Sequence, residues 1–211
     1  MTLADLFFIA SFLFVVVCFL AILISLLRAR MNSLRRWSKL LFVYVAVYAA
    51  ALIATSLLSP RRTYSPGERR CWDDWCASAI RVSPAAISPP LPCSAAPDSR
   101  IWVAEIDVSS VAKRVRQSAP DARAELEDEQ GARYQPCAAS LSSGTAPRRS
   151  LADFLGPGDS FPVLLPFRLP SNAQPVGVVM HHGDGFPGVV IIGYDSSFLH
   201  RRDLQQMAAV R

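Results

Sequence analysis

The run LFFIASFLFVVVCFLAILISLL, residues 6–27, decides the architecture of this chain, because its 22 residues include no charged side chain. A second uncharged run, LLFVYVAVYAAALIATSLL, follows at residues 40–58. At a rise of 1.5 Å per residue, helices of these lengths extend about 33 and 28 Å, which matches a bilayer hydrocarbon core of about 30 Å. The sequence therefore predicts a transmembrane hairpin with helices at residues 6–27 and 40–58.

Two alternative explanations of these runs fit less well. Buried helices of a soluble protein would need a much larger remaining chain to cover them, and neither run has a polar face. A cleaved signal peptide would have a basic segment before a short apolar stretch, whereas only Asp5 is charged before the first run. We therefore expect both helices to remain in the mature protein.

The link between the helices, residues 28–39, predicts their orientation. It contains no acidic residue and five basic ones: Arg28, Arg30, Arg35, Arg36 and Lys39. The positive-inside rule places such a short basic loop in the cytoplasm, so the N-terminus and residues 59–211 are expected outside it. Arginines soon after the second helix oppose this orientation, although acidic residues alternate with them: Arg61, Arg62, Arg69 and Arg70 against Glu68, Asp73 and Asp74.

The remainder of the chain is nearly neutral. From residue 60 onward, 17 Lys and Arg residues face 16 Asp and Glu residues, a net charge of +1. The basic excess thus belongs to the hairpin loop, and no basic stripe that would gather phosphates is present, so nucleic acid is not an expected partner. We divide the chain into a hairpin at residues 1–59, a linker at 60–70 and an extracytoplasmic domain at 71–211.

Five cysteines follow the same division. Cys18 lies inside the first apolar run, where it is simply a small apolar residue. The other four, which fall in the outer domain, are Cys71, Cys76, Cys93 and Cys137. An even number in an exported domain predicts two disulfides with three possible pairings. Within one extended strand Cys71 and Cys76 would be about 16 Å apart, so either they flank a turn or each bonds elsewhere.

Short strands dominate the predicted structure of the outer domain. Residues 100–110 (RIWVAEIDVSS) alternate between a mixed face and an apolar face formed by Trp102, Ala104, Ile106 and Val108. Other predicted strands cover residues 76–82, 122–127, 161–169, 176–181 and 189–194. In the last of these, the β-branched run at 189–192 has the character of a central buried strand. About seven short strands separated by turns favour an all-β sandwich; one weak helix is predicted near 202–210.

Four short motifs carry a family resemblance. They are WVAEIDV at residues 102–108, LEDEQGARY at 126–134, LGPGDS at 155–160 and FRLP at 167–170. In this order, over residues 75–179, they resemble an uncharacterised family of bacterial exported proteins with an immunoglobulin-like β-sandwich ectodomain. The tail FPGVVIIGYDSSFLH at 186–200 is similar to a membrane-anchored subgroup. The resemblance implies a fold and a location and adds no chemistry; the Pro-rich insert that holds Cys93 departs from the family pattern.

Histidines and acids close to the C-terminus could carry chemistry. Imidazole and carboxylate groups suit zinc or a similar divalent ion, and the candidate ligands are His181, His182, Asp184 and His200. A triad-type hydrolase could instead use Asp195, Ser196 and His200. The simpler interpretation is that these are loop residues or hydrogen-bonded structural histidines. No Gly-rich phosphate loop follows a strand, so no cofactor is expected.

Two tryptophans stand soon after the membrane exit. Trp72 and Trp75 could anchor the domain at the bilayer interface, where indole rings are favoured, or could belong to the core and rim of the sandwich. Taken together, the sequence predicts a two-helix transmembrane hairpin that carries an all-β, immunoglobulin-like sandwich at the outer face of a bacterial inner membrane.

The functional expectation is a binding or assembly module, or a small subunit of a larger membrane complex. Its expected partners are the lipid bilayer and a protein in the membrane or periplasm. The alternative is a metal-dependent or triad-type hydrolase that uses the C-terminal His and Asp residues; an enzyme is the less favoured interpretation. Neither apolar run contains an ionisable Asp, Glu, Lys, Arg or His, which argues against transport by this chain itself.

Overall fold

The structure is a computed structural model of the full chain, and it describes residues 3–85, 93, 98–137, 149–182, 188–192 and 197–209. The chain divides into two compact units. The helical unit comprises Met1–Pro60 together with Gly185–Arg201, and the sandwich unit comprises Arg61–Asp184 together with Arg202–Arg211. The chain therefore leaves the sandwich, contributes a segment to the helical unit and returns.

Two helices form the hairpin of the helical unit, α1 (Leu3–Leu27) and α2 (Met31–Leu58). Small side chains spaced seven residues apart, Ser11, Cys18 and Ser25, are buried along α1. A seven-residue spacing returns to the same side of a helix after two turns, and small residues let two helices approach closely. The antiparallel pairing follows from Phe14 against Tyr44, with ring centroids 4.5 Å apart.

The turn between the helices is shorter than the predicted loop at residues 28–39. Only three residues separate α1 from α2, and Ala29 adopts a positive φ of 52° there. Residues 31–39 extend α2 because they contain neither Gly nor Pro and include good helix formers such as Leu, Arg and Lys. A prediction from uncharged runs detects only the apolar part of a helix, so it misses the polar first part of α2.

In the described part of the sandwich unit there are ten strands: β1 (Thr63–Tyr64), β2 (Arg70–Trp72), β3 (Trp75–Pro84), β4 (Ser99–Ser110), β5 (Arg123–Asp128), β6 (Arg133–Tyr134), β7 (Ser160–Pro170), β8 (Pro175–His181), β9 (Leu204–Gln206) and β10 (Ala208–Ala209). One sheet has the order β1-β9-β8-β5-β6 and the other β10-β3-β4-β7, with β2 paired to β3. The first strand lies inside the predicted linker at residues 60–70.

The core of the sandwich lies between these two sheets. The apolar face predicted for β4 is buried, since Ala104, Ile106 and Val108 are all fully shielded from solvent. Strand β7 contributes Phe167 and the facing strands β5 and β8 contribute residues such as Leu126 to the same cluster. The predicted fold class, two apolar N-terminal helices followed by an all-β sandwich, is confirmed.

Two elements predicted at the C-terminal end are wrong. The β-branched run at 189–192 is no strand of the sandwich: Gly188–Val190 form a 3-10 helix within the helical unit. Gly193 and Tyr194, which the prediction included, lie outside the described residues. The helix predicted near 202–210 is replaced by strands β9 and β10. Both strands are too short to show an alternating pattern, so their partners decide their conformation.

Both disulfides lie in the sandwich unit. Cys71 and Cys76 pair across the β2–β3 hairpin with Cα atoms 3.9 Å apart, so the alternative with a turn between them is the one that forms. Asp73 supplies the positive φ of 54° that this two-residue turn needs. Cys93 bonds Cys137 with a Cα separation of 5.8 Å. Cys18 is buried in the helical unit and free.

The motif LEDEQGARY is explained by one buried carboxylate. Asp128 Oδ1 accepts hydrogen bonds from the backbone N–H groups of Gln130 and Ala132, each 2.9 Å long. Its Oδ2 accepts a hydrogen bond from the Tyr134 hydroxyl at 2.9 Å. Burial alone would raise the pKa of Asp128, but these donors outweigh burial and hold the pKa below its ordinary value. Gly131 takes a φ of +79° to complete the turn, so the motif is structural.

The returning chain closes both sheets at once. Strand β9 pairs with β1 and β8, and β10 pairs with β3 in the other sheet. Gln205, which is buried, accepts a hydrogen bond from Ala79 N–H at 2.8 Å and donates one to the Ala77 carbonyl at 3.2 Å. Its side chain therefore joins the two sheets where β3 is interrupted by a register shift. Gly177 on β8 has no room for a Cβ because the Gln205 backbone lies against it.

We predict that the two disulfides stabilise the sandwich unequally. Cys93 and Cys137 are 44 residues apart and Cys71 and Cys76 only 5. In the chain-entropy account, removing the first pair as alanines lowers the free energy of unfolding by about 4 kcal/mol and removing the second by about 2 kcal/mol. Chemical denaturation of the full chain in detergent, followed by near-ultraviolet circular dichroism, measures both. Equal losses would contradict this order.

Candidate functional site

Two loops at one end of the sandwich are joined to each other by backbone hydrogen bonds. Gln117 and Leu155 exchange a pair of them, at 2.9 and 2.8 Å, as an isolated antiparallel bridge. The first loop, which follows β4, is fixed further by Ser110, whose hydroxyl accepts hydrogen bonds from Ala112 N–H and from the Gln117 side chain. The second loop is fixed by Asp153, which accepts a hydrogen bond from Ser150. We call the outer surface of these two loops the paired-loop patch.

The paired-loop patch collects the exposed apolar side chains of the sandwich. Among the described residues of this unit, the large apolar side chains that are exposed are Val111, Val115 and Phe154. They stand among cations, since Lys113, Arg114 and Arg116 are exposed in the first loop and the Arg116 guanidinium lies 5.5 Å from the centre of the Phe154 ring. No acidic residue lies in residues 110–117.

This composition suits a surface that binds a partner. Aromatic and arginine side chains are enriched at the centres of protein interfaces, where they supply large contact areas and several hydrogen-bond donors. Removal of Val115 and Phe154 from water by a partner would be favourable, because apolar surface is buried. The three cations would favour a partner whose surface is acidic. The hydrogen-bonded loops keep this patch preformed, so little ordering is needed on binding.

A second polar cluster joins the start of the sandwich unit to its central strands. Both terminal guanidinium nitrogens of Arg61, Nη1 and Nη2, donate to the carboxylate of Glu127, at 2.6 and 2.7 Å, and Arg61 Nε donates to the Arg202 carbonyl at 2.8 Å. Arg133 Nε approaches the same carboxylate at 3.1 Å. Burial would raise the pKa of Glu127, but the hydrogen bonds and charges of Arg61 and Arg133 outweigh it and hold the pKa below its usual range.

Arg70 forms a third polar cluster with the returning chain. Its guanidinium lies 3.3 Å from Asp203 and 4.4 Å above the ring of Trp72, and all but 5% of its side chain is buried. Asp203 also accepts a hydrogen bond from Arg62 N–H at 3.0 Å. These contacts give two of the arginines after α2 a structural role within the sandwich unit. They therefore explain why basic residues stand here despite the orientation rule.

The two tryptophans that the sequence offers as interface anchors or as core and rim residues lie in and beside the sandwich core. Trp75 is buried in the sandwich core, so for this residue the core position, one of the two alternatives, is the one that forms. Trp72 is half-buried, with Arg70 over its ring and Trp75 at 5.5 Å between centroids. Trp72 and Trp75 are direct partners across the β2–β3 hairpin, so both rings lie on the same face, and Trp72 packs against the edge of the core.

The four candidate metal ligands are distributed over both units. His181 is buried at the end of β8, and His182 forms a 2.5 Å hydrogen bond between Nδ1 and Asp121 Oδ1. His200 belongs to the helical unit, and Asp184 lies outside the described residues. Among the residues that the structure describes, no group of three or more His, Cys, Asp or Glu side chains is close enough to hold a metal ion. Asp195 and Ser196 of the candidate triad also lie outside the described residues.

The helical unit presents apolar side chains outward along both helices. Both helices are long and apolar enough to cross a membrane, and only 11% of each apolar window is buried. The exposed side chains on α1 and α2 include Phe12, Leu20, Phe42 and Val47. In water such a surface would be far larger than the apolar patches of soluble monomers, whereas lipid acyl chains would cover it without penalty.

Comparison with known proteins adds only distant structural likenesses. No family model and no curated protein matches the chain. Similar solved structures include the secreted protein MPT63 of Mycobacterium tuberculosis, at 15% identity and a TM-score of 0.41 over 59% of this chain and 92% of that one. An uncharacterised β-sandwich protein of Clostridium difficile 630 has 11% identity and a TM-score of 0.40 over 59% and 91%.

A conserved hypothetical protein of Bacillus anthracis is also similar, with 12% identity and a TM-score of 0.39 over 68% of this chain and 95% of that one. Because these three TM-scores are low, the fold of this chain is established by its own strand pairing. The resemblance to an uncharacterised exported family thus receives no support from a matching family model, and only the β-sandwich part of it is shown.

Sequence reasoning did not find the paired-loop patch. The segment VAKRVRQ at residues 111–117 has no periodicity, and Phe154 lies 37 residues after its end. One signal was available: Lys113, Arg114 and Arg116 are the densest basic group after residue 70. The net charge of +1 from residue 60 onward conceals such a group because acidic residues elsewhere cancel it.

We predict that Arg61→Ala destabilises the sandwich by about 2 kcal/mol or more at neutral pH, because Glu127 stays buried with only Arg133 to compensate its charge. Arg62→Ala is the matched control: its exposed side chain is removed while its backbone N–H to Asp203 remains, so we expect a loss below about 0.5 kcal/mol.

The difference in unfolding free energy between the wild-type protein and Arg61→Ala should also depend on pH. Glu127 has a lowered pKa in the folded protein, so its ion pairs contribute stability above the unfolded pKa of about 4.3, and this contribution disappears as the pH falls through the lower folded value. The difference between the wild-type protein and Arg61→Ala should therefore narrow as the solution is acidified. Urea unfolding at several pH values measures it, and a difference that widens in acid would contradict the assignment.

Proposed function

We propose that this protein is a membrane-anchored extracytoplasmic module that binds or assembles with a protein partner, either alone or as a small subunit of a larger membrane complex. The helical hairpin resides in a bacterial inner membrane, and the N-terminus and the sandwich lie outside the cytoplasm. The observation that carries the proposal is the distribution of exposed apolar side chains, which the described residues concentrate on the helical unit and on the paired-loop patch.

The anchor is supported by the surface of the hairpin. Most side chains of α1 and α2 between residues 6 and 27 and between 40 and 58 point away from the helical interface. The small buried residues of the two helices suit close packing within lipid. Two long apolar helices and two disulfides are consistent with a membrane-anchored or exported protein.

The outward orientation is supported by charge. The basic residues of the hairpin turn and of the polar start of α2 lie together at one end of the helical unit: Arg28, Arg30, Arg35, Arg36 and Lys39. At the other end of α2, Arg61 and Arg70 make ion pairs with Glu127 and Asp203. The cytoplasmic end of the hairpin thereby keeps the larger number of basic side chains without acidic neighbours in the sequence.

Partner binding is assigned to the paired-loop patch. Val115 and Phe154 provide apolar contact, and Lys113, Arg114 and Arg116 add positive charge to the loop that carries Val115. A partner that covers this patch would present an apolar centre with acidic residues around it. The sandwich then acts as a rigid support for the two loops, and the hairpin restricts the search for the partner to the membrane surface.

The orientation is tested by labelling intact cells with a membrane-impermeant maleimide. In a Cys18→Ala background, Gln130→Cys should react and Asn32→Cys should not, because Gln130 is exposed in the Asp128 turn of the sandwich and Asn32 lies in the first turn of α2. After the membrane is permeabilised, both cysteines should react, which controls for local accessibility. Labelling of Asn32→Cys alone in intact cells would reverse the proposed topology.

The binding surface is tested by photo-crosslinking in native membranes. A benzoylphenylalanine placed at Phe154 should form an adduct with a protein, and the same group at Gln130, an exposed position in the Asp128 turn, should not. Arg114→Glu should reduce the yield at Phe154, whereas Arg100→Glu, a change of equal charge on the exposed start of β4, should leave it unaltered. Adducts with lipid alone would contradict the proposed protein partner and indicate that the patch binds a membrane surface.

A further inference from the structure

An apolar segment between β8 and β9 belongs to the helical unit. Its described residues, 188–192 and 197–199, are called the apolar segment here. They include Val189, Val190, Ile191 and Ile192, followed after a gap in the description by Ser197, Phe198 and Leu199. The compact unit that contains this segment, Gly185–Arg201, also contains both helices of the hairpin. Its surroundings are therefore those of the helices.

Four consecutive backbone carbonyls of the apolar segment accept hydrogen bonds from inside the helical unit. Ile191 N–H donates to the Gly188 carbonyl at 3.2 Å, and Phe198 N–H donates to the Val189 carbonyl at 2.9 Å. The Tyr48 hydroxyl donates to the Val190 carbonyl at 2.7 Å. The Ser197 hydroxyl donates to the Ile191 carbonyl. A loop in water can leave its carbonyls to solvent, whereas a loop in hydrocarbon needs partners from the protein, because each unpaired carbonyl is costly there.

Tyr48 fixes the depth of this contact. It lies within the uncharged run of α2, ten residues before the helix ends at Leu58, which is about 15 Å along the helix axis. Its ring stacks on Phe7, the second residue of the uncharged run of α1, with centroids 6.0 Å apart. Val190 therefore lies beside the apolar parts of both helices, in the half of their length that is farther from the basic turn.

The side chains of the apolar segment are arranged in the same way as those of the helices. Ile191 is buried within the helical unit, while Phe198 and Leu199 point outward. The exposed fraction of Phe198 is 59%, close to the 56% of Phe12 on α1. Both phenylalanines thus present an apolar ring to whatever surrounds the hairpin.

We infer that the apolar segment is a re-entrant membrane segment, which enters the leaflet on the side of the sandwich and contacts lipid acyl chains through Phe198 and Leu199. The inference rests on the proposed membrane anchor and adds a third protein–lipid contact to it. Gly185–Arg201 contains 17 residues, which can extend about 55 Å, whereas the path to a depth of one leaflet and back is about 30 Å. The chain is long enough to enter and return.

The inference is tested by spin labelling the full chain in vesicles of phosphatidylethanolamine and phosphatidylglycerol. Cys18→Ala provides the background, and single Phe→Cys changes at 198, 12 and 154 carry the nitroxide. These positions form a matched set because their exposed fractions are 59, 56 and 62%. Power saturation measures the collision of each label with oxygen, which concentrates in hydrocarbon, and with a polar nickel chelate, which stays in water.

We expect the ratio of oxygen to nickel accessibility at position 198 to be close to that at 12 and above that at 154 by about tenfold or more, since hydrocarbon excludes polar solutes. If 198 behaves as 154 does while 12 is in lipid, the inference is overturned and the membrane anchor stands. If all three labels meet nickel equally, the proposed membrane anchor itself fails. Leu199→Cys repeats the measurement should Phe198→Cys disturb the fold, which the circular dichroism of the sandwich reveals.

Discussion

The return of the chain at strands β9 and β10 holds the two sheets together. β9 completes one sheet between β1 and β8, and β10 adds to the other sheet beside β3. Between them Gln205 bridges the interior, with one side-chain amide satisfying both Ala77 and Ala79. A buried amide in this position is stabilising only when all of its main partners are present, so the register of β9 against β3 is tightly constrained. The segment before β9 must therefore leave and re-enter at fixed points.

Because the register of β9 is fixed, the chain that contains the apolar segment must return to a defined position in the sandwich unit. Its return point is fixed by Arg61, which binds the Arg202 carbonyl and the buried Glu127 together. Asp203 then accepts a hydrogen bond from Arg62 N–H and forms an ion pair with Arg70. Residues that follow α2 in the sequence therefore bind residues that follow the apolar segment. Arginine suits these positions because its planar guanidinium can donate to a carboxylate and a carbonyl at the same time.

The sequence predicted the sandwich strands where alternation was long enough to read. Strand β4 is the clearest case, since Ala104, Ile106 and Val108 are predicted inward and are buried. The strand predicted at 189–192 is wrong because an apolar loop packed against helices and a buried strand can have the same apolar, β-branched side chains. What distinguishes them is the partner of each carbonyl, and Tyr48 lies 142 residues away from Val190. Local patterns contain no information about such a partner.

The paired-loop patch is equally difficult to predict from local sequence patterns. Motifs that attract attention in the sequence, such as LEDEQGARY, have a structural explanation, because Asp128 uses its two oxygens to close a turn and hold Tyr134. The large exposed apolar side chains among the described residues of the sandwich, Val111, Val115 and Phe154, attract none, since they lie on two loops that are distant in the sequence and are joined by the bridge between Gln117 and Leu155. Polar residues that are buried and paired specify the fold of this domain. Any selectivity for a partner then has to come from side chains that the fold leaves uncovered, and the sandwich concentrates those on two loops whose backbones are already satisfied.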